Sequence, residues 1–439
     1  MRSKFVAATA CASLAAIAAC AAADSTTSPD VVEPGTNLPD ASPHDAPDPD
    51  VVDADVPDTR LPDCGSAGWC ITPFPHADLI FYDIAPLEDV AFAIAQSRTE
   101  GVKVLEWTSS TNAWRYIDDQ TQNGANVGTF AGGIYAPSAN EVYFTVGPSY
   151  VYHGTRPVPP ATEWVWTRQA LPDNVVGHPS NDDHGYPIYN LGREPRAALG
   201  VWGTSADNVY AYYSNSIFER APDGTWSTVY VADDLDASTE HIFFLSASGT
   251  GPDDVWFSGA RDRTSWSCPL AVRKTAEGWR RVADGVVSNN TLTPCAPRAN
   301  TTWLTKAAGG GWLREITAVS PTEYVALHDV MNRAALVSID LTRFRVTDDG
   351  YTVEQTPVPY RVTQVTPSLI NSLWRAPDGD NWFAAWGLVL HGTNDGAHVV
   401  STLSRDGAPI NVPIFKIRGT SNQNLWAIGA RHAFHKTTP

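Results

Sequence analysis

Apolar and polar positions along this chain fall into short runs of strand length, and the clearest set lies between Leu199 and Val231. Leu199 to Gly203 is small and apolar, and Ser205-Ala206-Asp207-Asn208 follows it as a turn, because Ser, Asp and Asn bond their own backbone. Val209 to Tyr213 carries the aromatic and β-branched residues that suit a pleated surface. Ile217 to Arg220 is a third strand, Pro222-Asp223-Gly224 a tight turn, and Trp226 opens a fourth. We label the four strands A to D.

The outline recurs at Ile84 (IAPLEDVAFAIA), Ile134 (IYAPSANEVYFTVG), Leu245 (LSASGTGPDDVWFSGA), Thr317 (TAVSPTEYVAL), Leu373 (LWRAPDGDNWFAAWG) and Ile417 (IRGTSNQNLWAIG). Anchors in strand B are Val90, Val142, Val209, Val255, Tyr324, Trp382 and Leu425. Their spacings of 52, 67, 46, 69, 58 and 43 residues share a minimum near 43 with insertions added. No copy sustains a 3.6-residue apolar period, which excludes helical solenoids. Four-stranded units at this spacing predict an all-β, seven-bladed propeller over residues 64–439, each blade burying its faces against its neighbours.

The last copy raises a problem of closure. It has strand A at Ile414 to Arg418, strand B at Leu425 to Gly429 and strand C at Ala433 to Lys436, and the sequence stops at Pro439. An unpaired strand C would leave bare N–H and C=O groups. Gly68-Trp69 repeats the Gly-then-Trp opening of the D strands at Trp226 and Trp279. Trp69 to Pro73 is therefore expected to complete blade seven.

Composition adds the address. Residues 1–19 pair Arg2 and Lys4 with an alanine-rich apolar run, the pattern of a signal peptide, too short and weakly apolar for a retained span. Ile17-Ala18-Ala19-Cys20 resembles the lipobox of bacterial lipoproteins, which implies a membrane anchor through lipidated Cys20. Ala21 follows it, and this resemblance favours the outer membrane or cell surface. Residues 20–63 read as an acidic Pro/Asp-rich disordered linker, with 11 acidic side chains after Cys20 against Arg60 alone. About 10 of the net charge of −18 thus sit in the linker, and the acidity says little about the domain's partners. Nothing points to nucleic acid.

Four of the six cysteines remain beyond the anchor, and an even number in an oxidising compartment suggests two disulfides. Nearness in sequence favours Cys64–Cys70 and Cys268–Cys295, the latter joining two loops of one face.

Candidate chemistry is sparse. No nucleophile elbow, phosphate-binding loop or zinc-protease helix occurs, no catalytic residue is assigned, and no cofactor or metal is expected. The best polar cluster, containing His178, Asp182, Asp183 and His184, lies between blades two and three. Asp348-Asp349-Gly350 and Asp378-Gly379-Asp380 fit plain turns. Of the 16 tryptophans, Trp256, Trp382 and Trp426 share the strand-B slot of Tyr143 and Tyr210, and Trp114, Trp226 and Trp279 open D strands. Those six are read as packing. Trp266 and Trp303, in long loops beside the expected disulfide, remain as candidate ligand contacts.

On VWGTSADNVYAYY and SGTGPDDVWFSGA, the chain resembles seven-bladed propellers with a W-G-x-S-x-x-D-V-W-x-x-G hairpin, found in bacterial lipoproteins. Ala221 to Trp226 resembles a degenerate Asp-box of sialidase-like propellers. A sialidase would need three arginines and a Tyr–Glu pair at its centre; the strand-A ends read as mainly apolar and small. Three functions are weighed: a tethered recognition propeller binding a glycan, peptide or protein, a glycoside hydrolase or lyase on the same loops, and an architectural envelope protein. The first is favoured.

Overall fold

The computed structural model describes residues 64–124, 130–147, 149–172, 188–191, 194–263, 266–288, 295–301, 310–332, 335–358, 370–392 and 398–438. They contain no α-helix and form seven four-stranded antiparallel sheets, with three two-stranded hairpins beside them.

Blades one to six are meanders in chain order. Strands A to D are Ile80–Pro86, Val90–Ser97, Gly101–Thr108 and Ala113–Tyr116 in blade one, and Ala131–Ser138, Glu141–Val146, Tyr150–Thr155 and Val165–Ala170 in blade two. Blade three has Leu199–Ser205, Asn208–Tyr213, Ser216–Arg220 and Trp226–Val231. Blades four and five are taller: Glu240–Gly251, Asp254–Arg263, Trp266–Thr275 and Gly278–Ala283, then Gly310–Ser320, Glu323–Asn332, Ala335–Thr347 and Gly350–Pro357. Blade six has Ser372–Arg375, Asn381–Ala384, Leu388–Gly392 and His398–Thr402.

Blade seven takes strands A, B and C from Ile414–Ser421, Asn424–Gly429 and His432–Lys436, and its outermost strand from Trp69–Ile71. Trp69 pairs with Lys436, Cys70 with His435 and Ile71 with Phe434. Thr72 extends the strap: its N–H and its hydroxyl both donate to Ala433 O at 2.9 Å, and its Oγ1 accepts from Trp114 Nε1 at 2.9 Å. One buried threonine thus ties blade seven to blade one. The Cys64–Cys70 disulfide anchors the strap from outside, with a Cα separation of 3.9 Å. That lies below the usual 4.4–6.8 Å range, because the two cysteines face each other as bridge partners across a tight turn.

Apolar burial is divided into wedges. Seven large clusters each lie between two neighbouring blades, and the wedge between blades seven and one joins Trp426, Ile428 and Ala433 to Leu79, Phe81, Ala91 and Ala93. Tyr143, Tyr210, Trp256, Trp382 and Trp426 fill such wedges. This accounts for their periodic spacing.

The polar half of the repeat has its own cause. Two residues before the strand-B aromatic stands Glu141, Asp254, Asp380 or Asn424, and each bonds the strand-C side chain lying over that ring. His153 Nε2 meets Glu141 at 2.9 Å and stacks on Tyr143 at 4.4 Å. His391 meets Asp380 at 2.6 Å and stacks on Trp382 at 4.1 Å. His435 meets Asn424 at 2.9 Å and stacks on Trp426 at 4.0 Å. Arg273 donates to Asp254 at 2.9 Å and covers Trp256 at 5.5 Å. In blade five, Arg343 still reaches Glu323 at 3.1 Å although Val325 stands in the aromatic slot. The Asp of D-V-W clamps a side chain flat over the Trp, which is a packing role.

Candidate functional site

Strands A of neighbouring blades meet along the inner edge of the ring. Tyr82 of blade one stacks on Phe415 of blade seven at 6.2 Å, and Leu245 and Arg314 are buried on strands A of blades four and five. Polar side chains on strands A staple four of the seven blade joints. Asp83 accepts from Ile134 N–H at 3.1 Å, Ser246 from Ile316 at 3.2 Å, Glu315 from Leu373 at 2.5 Å and Ser372 from Ile417 at 3.1 Å.

Charge at the centre exceeds the expectation of mainly apolar and small strand-A residues. Glu315 is buried and accepts from Arg418 at 2.8 Å and from Lys416. Burial pushes its carboxyl up, but Arg418 and Lys416 outweigh burial and hold it at about 2. Arg314 donates to Asp329 and to the carbonyls of Asn371 and Ile370. The physical reason is a bulge in strand A, between Phe81 and Asp83, Phe244 and Ser246, Leu313 and Glu315, and Ile414 and Lys416. One extra residue reverses the inside–outside alternation beyond it.

Connections grow on one face. The A–B turns are short, whereas the D–A connections include residues 171–198 and 284–309, and B–C turns share their face. Beside blade four this face is cross-braced. Cys268 and Cys295 form the second disulfide, with Cα atoms 5.8 Å apart. Trp266, 8% exposed, packs with both cysteines and Val287. Arg261 is fully buried and bonds Asp284 at 2.5 Å, Asp234 at 2.7 Å and Glu240 at 3.3 Å. Arg281 meets Asp234 at 2.5 Å, and Arg298 meets Asp236 at 2.5 Å and Asp284 at 3.4 Å. Three arginines do converge, then, but on blade four and around carboxylates of the chain itself. Burial raises the Asp234 carboxyl, and the hydrogen bonds from Arg281 and Arg261 override it, so it is held low.

Two features of this face carry no repeat signal in the sequence. Asp262 lies cross-strand from His241, and burial alone pushes its carboxyl up to about 6. His241 stacks on Phe243 at 6.1 Å, which stacks on Trp312 of blade five at 5.6 Å. The other is Trp386 in the B–C turn of blade six. At 38% it is the one exposed tryptophan among the described residues.

Trp303, His178, Asp182, Asp183, His184 and Cys20 lie outside the described residues. The Asp378–Asp380 stretch is an A–B turn in which Asp378 Oδ1 accepts the Asp380 N–H at 3.2 Å. At the Asp-box-like turn, Asp223 Oδ1 accepts the Thr225 N–H at 2.9 Å and its hydroxyl at 2.7 Å. Two clefts lined by described residues open on the outer rim. One of 380 Å³ lies between blades one and two, and one of 780 Å³ between blades four and five.

No family model and no curated protein matches this chain. Among solved structures it is similar to the extracellular domain of a proposed one component system from B. thetaiotaomicron, at 8% identity and a TM-score of 0.49, covering 85% of this chain and 40% of that one. It is also similar to YCF48 from Cyanidioschyzon merolae, at 11% identity and a TM-score of 0.49, covering 85% of this chain and 99% of that one. The fold assignment rests on the seven blades themselves.

Proposed function

We propose that this chain is an exported recognition propeller that holds a glycan, peptide or protein partner on the face formed by its D–A connections and B–C turns. The observation that carries the reading is the concentration of long connections on that one face of the seven blades. Binding residues sit disproportionately on loops held by a rigid scaffold. The two disulfides support export. Trp303 and the segment containing His178, Asp182, Asp183 and His184 are the candidate contacts from the sequence of the long D–A connections, whereas Trp266 is buried against the disulfide and would support the face from beneath.

In the same reading residues 1–19 direct export, lipidated Cys20 holds the protein to an outer membrane or cell surface, and residues 20–63 are the spacer. A multiply acylated cysteine is required, since one acyl chain holds a protein only marginally. The full chain should enter the detergent phase on phase separation and Cys20→Ala should not; equal partitioning of the two ends the anchor proposal. For recognition, the full chain is taken through a glycan array and an envelope-protein pull-down. A ligand whose binding is blocked by changes on this face supports the reading. A ligand insensitive to them, or held by the opposite A–B face, overturns it.

A further inference from the structure

Trp386 occupies a turn tip held still by its surroundings. Its Nε1 donates to Asn411 Oδ1 at 2.7 Å, and its backbone forms a bridge with Pro413. Gly387 beside it has φ +68, where an added Cβ would stand 2.3 Å from Ile410 O. The Gly387 N–H bonds Val412 O at 2.9 Å and its carbonyl accepts from Leu403 at 3.0 Å. The indole is therefore both exposed and pre-oriented, which removes much of the ordering cost of a contact.

The next turn tip along the rim is charged. Pro413 pairs with Trp386 on one side and accepts the Ala430 N–H at 3.1 Å on the other. Two inter-strand spacings thus separate Trp386 from the Ala430–Arg431 turn, roughly 10 Å between backbones. Arg431 stands in the left-handed region at φ +61, where the B–C turns of blades two and three have Ser149 and Ser214. Its N–H donates to Leu79 O at 2.9 Å, while its exposed side chain has no hydrogen bond or ion pair among the described residues. Arg405, from the hairpin leading into blade seven, is also exposed and among the described residues meets only the exposed Asp406, at 3.5 Å. Both guanidinium groups bear on His432, whose ring is kept down by burial against the opposing bond to the Ala430 carbonyl, with these two cations adding to the lowering.

We infer that Trp386 and Arg431, with Arg405, form a subsite for a carboxylate-bearing saccharide. The apolar face of a pyranose ring would lie on the indole, and the sugar carboxylate would be taken in the planar fork of Arg431. One or two rings bridge the span between them. This rests on the recognition reading above and names the ligand class and the contacts.

The test is titration of the full chain with trigalacturonate and, in parallel, with the neutral maltotriose, followed by calorimetry and tryptophan fluorescence. Trigalacturonate should bind at least about tenfold more tightly than maltotriose, since one aromatic or charged contact is of that order. Trp386→Ala and Arg431→Ala should each weaken it about tenfold, and Arg431→Lys should restore part of the loss. Unchanged melting temperatures would show the variants are folded. Binding of trigalacturonate unaffected by either variant overturns the subsite while leaving the recognition face standing. Absence of any difference between acidic and neutral sugars overturns the inference too. A protein ligand from the pull-down that needs Trp386 would keep the recognition reading and reject the saccharide.

Discussion

Single residues in this protein act mainly as clamps. Asp254 accepts from Arg273 at 2.9 Å, from Thr250 at 2.5 Å and from the Tyr324 hydroxyl, so it joins blade four to blade five. Asp254→Ala would strand those donors, and a loss of about 1–3 kcal/mol is expected in chemical denaturation. Asp254→Asn should cost less. Titration gives a second prediction. Burial holds His328 and His435 at about 4, below the ordinary 6.5, in His328 against an opposing backbone bond from Gly310. A histidine kept neutral by the fold gives stability that is complete above 6.5 and falls as pH drops towards 4, because the unfolded chain protonates first. Glu315, held at about 2, acts in a lower window: its contribution is present above 4.5 and is lost as pH falls towards 2. Asp262, pushed up to about 6, works the opposite way as pH falls from 6 towards 3.8 and offsets part of the histidine loss, so stability should fall in two stages with the upper one the shallower for it. A His328→Gln, His435→Gln double variant should flatten the upper stage, and an unchanged slope between pH 6.5 and 4 would reject the assignment.

At the scale of the strand, the strap is the most exacting element. Antiparallel ladder bonds alternate, and Thr72 N–H bonds Ala433 O, so Cys70 and Thr72 face the ladder while the Ile71 N–H points away. Thr72→Pro should therefore cost about 3 kcal/mol or more, and Ile71→Pro distinctly less, in thermal or urea unfolding. Equal losses would contradict the register. Much of this level was legible in the sequence. The Gly-Trp opening at Gly68-Trp69 matched the D strands, and the turns carried their own Asp, Asn, Pro and Gly. Trp382 was assigned as an anchor one residue late: it packs towards blade seven, while Val209, Val255 and Tyr324 face the blade before them. Apolar residues on both faces of a buried strand leave its phase open. The central charges were hidden for a related reason, since a bulge reverses parity without altering residue type. Trp386 and Asp262 were missed because turn tips and strand ends fall outside the repeat.

For the whole molecule, stability depends on closing the ring. Seven wedges of buried side chains each need both neighbours, so opening one joint exposes the wedge between blades six and seven, with Trp69 and Trp382, and loosens its neighbour. Deleting residues 64–75 should leave a protein that aggregates through the uncovered His432–Lys436 edge, read by light scattering and a lower melting temperature. A deletion that melts with the parent would show that the strap contributes nothing. The seven-fold count and the closure followed from sequence periodicity. The ligand did not, because strand repeats encode what the blades share, and recognition lies in the connections they do not share.

The strap also decides how the domain answers a pull. A tug on the chain ahead of Cys64 crosses the disulfide and arrives at Cys70, leaving Gly65 to Trp69 slack. Cys70 is the middle residue of the three-residue strand, paired with His435, and Thr72 lies two residues further on. The tension therefore arrives on the first ladder-bonding residue, so the pairing with His435 and the packing of the adjoining Trp69 must yield together. With the disulfide reduced, the same tug reaches Trp69 first, and its packing against Trp382 and then the ladder yield in turn. Oxidised protein should accordingly rupture at higher force than reduced protein in single-molecule stretching, which makes Cys64–Cys70 a strain relief as well as a staple.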